Sequence, residues 1–351
     1  MTKAIFEKKN VLVTGGAGFI GSHLCDELVK TSKVICVDNF ISGDEANIDH
    51  LLQNADFQFI KHDINKPINL EELKELDKFK VKFQGIQEIY HLACPTSPKD
   101  FEKTRIETIL ANSVGVRNIL DLAVKYKAKF LLASSSVVYG SRDPKNSYFK
   151  EDYMGEVDQL SPRACYDEGK RFAETLTMTY GQVHNLDAKI ARIFRTYGPR
   201  MKLRTGRMLP DFVFNALENE ELVIFGDESF SSSFCHVSDI VQGLMKMMKS
   251  GEAGPFNFGS DLEYKIVDVA KKVIELTNSE SKIIFKKPLL FMTPLGLPDL
   301  TLVKERLSWF PVVLLEEGIK GAIDYFRAYK YKIGPTSRLG KNQESRIKNQ
   351  E

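Results

Sequence analysis

The sequence predicts an α/β protein: a doubly wound parallel sheet followed by a smaller C-terminal α/β lobe. Three observations carry this. The 351 residues exceed what one compact core usually reaches, since about 150 residues per domain gives roughly two. In the first half, short apolar runs alternate with longer amphipathic ones, as in strand–helix–strand units whose strands are buried on both faces. After Gly198-Pro199 the texture changes to a basic loop and a fresh set of elements.

In chain order, Asn10–Thr14 reads as a buried strand, Phe19–Lys30 as a helix and Lys33–Val37 and Phe57–Ile60 as further strands. Leu70, Leu73, Leu76 and Phe79 share one side of a charged stretch and predict a surface helix with a structural role. Strands follow at Ile86–Leu92 and Lys129–Ala133, with long helices at Glu107–Tyr126 and Ala164–Tyr180. The second lobe opens with a helix at Met208–Leu217, a strand at Leu222–Phe225 and a helix at Val237–Met248. Residues 1–197 are thus expected to form mainly the first domain and 198–328 mainly the second. The polar stretch 329–351, where Lys-Asn-Gln-Glu recurs at Lys341 and Lys348, is expected to be a disordered tail.

Composition narrows the function classes. Forty-nine Lys and Arg against 47 Asp and Glu leave a net charge of +2, far from the basic excess of a nucleic-acid coat. No run approaches the roughly 18 apolar residues of a membrane span, and Lys3, Glu7, Lys8 and Lys9 do not suit a signal peptide. Five scattered cysteines and six dispersed histidines suit neither a disulfide framework nor a metal site. The expectation is a reduced, cytoplasmic, metal-free protein.

Val11-Leu-Val-Thr-Gly15-Gly-Ala-Gly18-Phe19-Ile20-Gly21 runs from strand into glycine-rich turn into helix. Glycines let the backbone approach a pyrophosphate, whose charge sits well at a helix N-terminus. Asp38 ends the next strand, 17 residues after Gly21, where a carboxylate can accept hydrogen bonds from a ribose diol. Strand, glycines, helix, strand and acid in this order predict a Rossmann-type dinucleotide site. Between Asn39 and Asp44 there is no cation for a 2′-phosphate, so NAD is expected rather than NADP. Asp63 and Ile64 are expected near the adenine, and Leu92 and Ala93 at the end of the fourth strand complete the set.

Tyr166 and Lys170 lie four apart, on one helical face, where the ammonium would lower the phenol's pKa and make it a usable base. Phe130–Ser136 is an apolar run ending in hydroxyls, with Ser135 placed to orient a substrate oxygen.

On these residues the chain resembles the extended short-chain dehydrogenase/reductase family, the NAD-dependent epimerases and dehydratases of nucleotide sugars. Its anchors are Thr14–Gly21, His91-Leu-Ala93, Tyr139-Gly140, Tyr166–Lys170 and Arg192-Ile-Phe194, within about Lys9 to Phe326. Longer strings, His91–Pro98, Pro162–Arg171 and Thr196–Met201, are similar to UDP-glucuronate decarboxylases. The resemblance implies tightly held NAD, a 4-keto sugar intermediate, a nucleotide-sugar substrate near Pro95, most simply UDP-linked, and a homodimer built through the two long helices.

The departures are specific. The glutamate of those decarboxylases is here Val137, and the Asp-Glu pair of the dehydratases is Ser136-Val137. Arginines expected in Gly226–Cys235 and before Pro298 are Ser232 and Gly296, and the usual asparagine after Arg-Ile-Phe is Arg195. Arg192, Arg195, Arg200, Lys202, Arg204 and Arg207 lie in a stretch without acids, so Arg195, Arg200 and Arg207 are expected to supply the charge that holds a diphosphate; a solvated basic loop is the alternative. Decarboxylation leads, a 4-epimerase is the second reading and a 4,6-dehydratase the third. A non-catalytic NAD-binding scaffold is a remote fourth, set against Ser135, Tyr166 and Lys170 occurring together.

Overall fold

A computed structural model describes residues 8–96, 101–142, 147–203, 205–287 and 295–333. Five parallel strands, β1 (Asn10–Thr14), β2 (Lys33–Asp38), β3 (Phe57–Lys61), β4 (Glu88–His91) and β5 (Lys129–Ser135), form most of one sheet. Strands Ala188–Ile193 and Phe256–Phe258 extend it beyond β5, so that the order from one edge is β3, β2, β1, β4, β5 and then these two.

Alternate residues of each strand feed two cores. Val11 and Val13 of β1, with Leu131 and Ala133 of β5, pack under the helix Phe19–Leu28 (α1) and the helix Val237–Lys249. Leu12, Phe130 and Leu132 point the other way, onto Val116, Ile119, Leu120 and Ala123 of the helix Val116–Tyr126. Strands buried on both faces explain the unbroken apolar runs. A third core, around Phe212, Val213, Ile224, Val269 and Ile323, holds the smaller lobe together.

Four features depart from the sequence-based expectations. Leu70, Leu76 and Phe79 are buried as expected, but the only helical turn in this stretch is a 3₁₀ turn at Lys74–Phe79. Apolar residues repeating every three positions suit a helix of three residues per turn better than one of 3.6. The helix expected at Glu107–Tyr126 is interrupted by a π turn at Ala111–Gly115, where Gly115 passes Ile64 so closely that a Cβ would sit 2.6 Å from its Cδ1. The chain after Gly198 does not stay in the smaller lobe: Val237–Lys249 and Phe256–Phe258 return to the large sheet. The helix Leu315–Ile333 carries order into the expected tail, whose remainder, 334–351, lies outside the described residues, as does Arg204.

From β1 the chain proceeds outward to β2 and β3, then crosses to β4 on the other side. The sheet's switch point therefore lies between the C-terminal ends of β1 and β4, where open α/β sheets bind ligands.

Candidate active site

A cavity of about 780 Å³ opens at that switch point and continues under the smaller lobe. Its lining includes the residues expected to bind cofactor or substrate or to act in catalysis: Gly15, Gly18, Phe19, Ile20, Gly21, Asp38, Asn39, Asp63, Ile64, Leu92, Ala93, Pro95, Ser135, Tyr166, Lys170, Arg195, Arg200 and Arg207.

At one end the glycine-rich turn leaves no room for side chains. A Cβ on Gly21 would lie 2.1 Å from the Gly15 carbonyl oxygen, and Gly15, at φ +73°, sits against the backbone of Leu92 and Ala93. α1 starts at Gly18 with no side chain capping its amides, which suits an anion. Asp38 accepts hydrogen bonds from the Ala17 amide (3.0 Å) and the Phe40 amide (2.8 Å), and burial pushes its carboxyl above the usual range. Asp63 closes a turn by accepting from the Asn65 amide at 3.0 Å. A cradle that a Cβ would fill, uncapped amides and a fixed carboxylate fit a dinucleotide: Gly15, Gly18 and Gly21 could hold its diphosphate and Asp38 its ribose.

Further along, Ser135 ends β5 and Tyr166 lies on the first turn of the helix Ala164–His184, hydrogen-bonded to Ser135. Lys170 is almost fully buried and donates to the Ala133 carbonyl at 2.8 Å. The expectation that Lys170 lowers the phenol's pKa is not met here. Burial dominates and pushes Tyr166 up to about 12, with the nearby Cys94 adding to it. The Ser135 hydrogen bond and the Arg163 guanidinium, 5.7 Å from the ring centre, pull it down by less.

The end of the cavity under the smaller lobe is cationic. Arg195 is desolvated and repelled by Arg163 and Arg207, which together lower its pKa to about 10; its Nε is buried without a hydrogen-bond partner. Its Nη1 reaches only the Met208 sulfur, at 3.8 Å. Arg207 donates to the Thr96 hydroxyl (2.6 Å) and carbonyl (3.2 Å). Arg200 pairs with Asp26 of α1 at 2.8 Å, and its Nη1 is buried and unsatisfied. Arg192, read with these as part of one basic stretch, is instead outside the cavity lining, held by Glu174 at 2.8 Å. Sequence reasoning passed over Thr96, which only the fold brings to Arg207, and over Arg163, three residues before Tyr166.

The departures have visible consequences. Val137 is buried and packs against Tyr166, beside Cys94 and Leu295. Ser232 is buried in a two-stranded antiparallel sheet, its hydroxyl on the Ser233 carbonyl, and is not part of the cavity lining. A Cβ on Gly296 would lie 2.4 Å from the ring of Phe149, which takes the space a side chain there would need.

Comparison with known proteins decides the family. The model of the NAD dependent epimerase/dehydratase family matches residues 11–259. The chain belongs to that family, and its cofactor is NAD. It is 43% identical over 318 residues to UDP-glucuronic acid decarboxylase 4 of Arabidopsis thaliana, covering 90% of this chain and 68% of that protein. It is 38% identical over 343 residues to UDP-glucuronic acid decarboxylase 1 of Xenopus tropicalis, covering 97% and 78%. Among solved structures, UDP-glucose 4-epimerase of Thermotoga maritima superposes with a TM-score of 0.78 at 28% identity, over 91% of this chain and 99% of that one. UDP-glucuronic acid 4-epimerase of Bacillus cereus, solved with UDP-glucuronic acid and NAD, gives 0.78 at 27% identity, over the same shares of the two chains.

Proposed function

We propose that this family member converts a UDP-sugar through a 4-keto intermediate, and that its reaction is the decarboxylation of UDP-glucuronate. The observation that carries this is the Ser135–Tyr166 pair at the junction between a dinucleotide cradle and an arginine-lined cavity. Similarity to decarboxylases over nine-tenths of the chain supports the choice of reaction. NAD supplies the oxidation of carbon 4 and its later reversal. Tyr166 takes the proton of the 4-hydroxyl, Ser135 orients that oxygen, and Lys170 fixes the strand end by holding Ala133. A uronate oxidised at carbon 4 is a β-keto acid, which loses carbon dioxide with little further help. Tyr166, protonated by then, stands beside Val137, where the related enzymes carry an acid, and can return a proton.

Epimerisation at carbon 4 is the second reading, favoured by Val137: an apolar contact on Tyr166 is no obstacle to a reaction that needs only the tyrosine, the serine and room for the sugar to turn. We assign Arg195, Arg207 and Arg200 to the diphosphate and the sugar acid, with Pro95 beside them. The chain is further read as a homodimer: Ile106, Ile109 and Val114 on the helix Phe101–Leu110 and the π turn after it, and Phe172 and Val183 on the helix Ala164–His184, leave apolar side chains exposed. Sedimentation at micromolar concentration checks this. The five free thiols suit a reducing compartment such as the cytoplasm.

The test supplies UDP-glucuronate and follows carbon dioxide release and formation of UDP-xylose or its 4-keto precursor by mass spectrometry. Absence of both, with interconversion of a neutral UDP-hexose pair, overturns decarboxylation in favour of epimerisation.

A further inference from the structure

On the helix Ala164–His184, Tyr166, Lys170 and Glu174 follow at four-residue intervals and share one face. That face meets the end of β5 at three consecutive residues. Lys170 donates to the Ala133 carbonyl at 2.8 Å, the Ser134 hydroxyl donates to Glu174 Oε1 at 2.5 Å, and Tyr166 is hydrogen-bonded to Ser135. The tyrosine and lysine rungs belong to the chemistry described above. Glu174 is not among the residues lining the cavity and has no part in it.

Glu174 is nevertheless buried and fully engaged. Arg192 grips it with Nε at 3.0 and 3.2 Å and Nη2 at 2.8 Å, and Arg192 is the register partner of Ser134 on the adjacent strand. The same guanidinium donates to the Tyr139 hydroxyl (2.8 Å) and the Glu151 carbonyl (2.9 Å), and Tyr139 donates to Asn257 of the last strand at 2.7 Å. Thus one carboxylate ties the catalytic helix to the residue preceding Ser135 and to three strands. A buried ion pair contributes little net stability compared with apolar packing, so its value here lies in geometry.

We propose that Glu174, held by Arg192, is a positioning residue that sets Ser135 against Tyr166. Successive strand residues point to opposite sides, so fixing the Ser134 hydroxyl fixes the twist that aims Ser135. This rests on the roles proposed above for Ser135 and Tyr166. Loosening Ser134 weakens the Ser135–Tyr166 hydrogen bond, which holds the phenol's pKa down, so the phenol becomes harder to ionise.

The test compares NAD-loaded wild type with Ser134→Ala, which removes one hydroxyl, and Glu174→Gln, which removes the charge. With UDP-glucuronate, kcat is expected to fall about tenfold or more while KM changes less than about twofold. The rising, acidic limb of the kcat–pH profile is expected to move to higher pH. Tyr166 titration is also followed without substrate, as tyrosinate absorbance differenced against the same protein carrying Tyr166→Phe, and is expected to shift the same way. Unchanged kcat, pH limb and tyrosinate titration, with only Tm lowered, would overturn the proposal. If Glu174→Gln does not fold, Ser134→Ala decides alone. If wild type turns over no UDP-glucuronate, the proposed function fails, and the tyrosinate titration still decides this one.

Discussion

Arg195→Ala separates the substrate-binding reading of the basic segment from that of a merely solvated loop. In the structure this guanidinium has a buried Nε without a partner, a sulfur at 3.8 Å as its one hydrogen bond among the described residues, and two arginines close enough to lower its pKa to about 10. It remains protonated at neutral pH, so a partly buried cation is held with no carboxylate among the groups that shift its pKa. Such a charge is costly by itself and favourable once an anion arrives, because a hydrogen bond to a charged group contributes about 1.5–3 kcal/mol. Removing it should therefore leave the fold as stable as before or more so, while weakening a nucleotide diphosphate by roughly 10- to 150-fold in Kd. Calorimetric titration of the NAD-loaded protein with UDP and UDP-glucuronate, beside thermal melts of both proteins, measures the two effects. NAD affinity should not change. Unaltered UDP affinity, or a fall of several degrees in Tm, would show that the arginine serves packing and refute the argument.

Tyr166→Phe deletes only the phenolic oxygen and should lower turnover by a factor on the order of 10² to 10⁴ with NAD still bound. Because burial raises the Tyr166 pKa to about 12 and the base form is the phenolate, wild-type turnover should climb with pH from 7 to 9; a flat or falling profile would remove Tyr166 as the base. Asp38→Asn removes the charge that repels a 2′-phosphate, so the preference for NAD over NADP should narrow at least about tenfold, read from the two dissociation constants. Val137→Glu places a carboxyl against the Tyr166 ring in a buried patch; if the chain is a decarboxylase that lacks its second acid, the variant should gain UDP-xylose yield relative to the 4-keto product, and a loss of all turnover with intact NAD binding would count against that reading.

The large sheet was legible because its strands are buried on both faces and flanked by glycine and polar breaks; β1 occupies the span its apolar run predicts. The strand Phe256–Phe258 was not, since three residues carry no periodicity and its partner Ala188–Ile193 is distant in sequence. Within the site, the glycines and Asp38 were readable because a fixed local order gives them their role. Thr96 was not, because it matters only through Arg207, a neighbour from another element that donates to it; Arg163, at the start of the Tyr166 helix, was not, because only the folded backbone brings its guanidinium over the ring. The Tyr166–Lys170 spacing was read correctly as a shared face, yet its electrostatic consequence was not visible, since burial of the phenol depends on Val137, Cys94 and Leu295 closing around it.

Three of the departures from the decarboxylase pattern share a physical direction. Val137 sets an isopropyl group on Tyr166 where the resemblance implies a carboxylate, Ser232 is buried in a two-stranded antiparallel sheet outside the cavity lining, and Phe149 fills the space beside Gly296. Val137, Ser232 and Gly296 each stand where the resemblance implies a charged side chain, while Arg195 stands where it implies an asparagine, in the segment that carries Arg207. Arg195, Arg200 and Arg207 thus line the cavity together, while Val137 and Leu295 give Tyr166 an apolar contact. For a β-keto acid this is a favourable division: an arginine wall can hold the diphosphate, and an apolar wall disfavours a carboxylate relative to the neutral carbon dioxide it becomes. The same apolar wall is indifferent to a neutral hexose. The chemistry next to Tyr166 therefore allows both reactions, and the discriminating question is whether an acidic sugar can enter. Arg207, close enough to Tyr166 for the phenol to favour its charged form and anchored on Thr96, is the cation best placed to admit one.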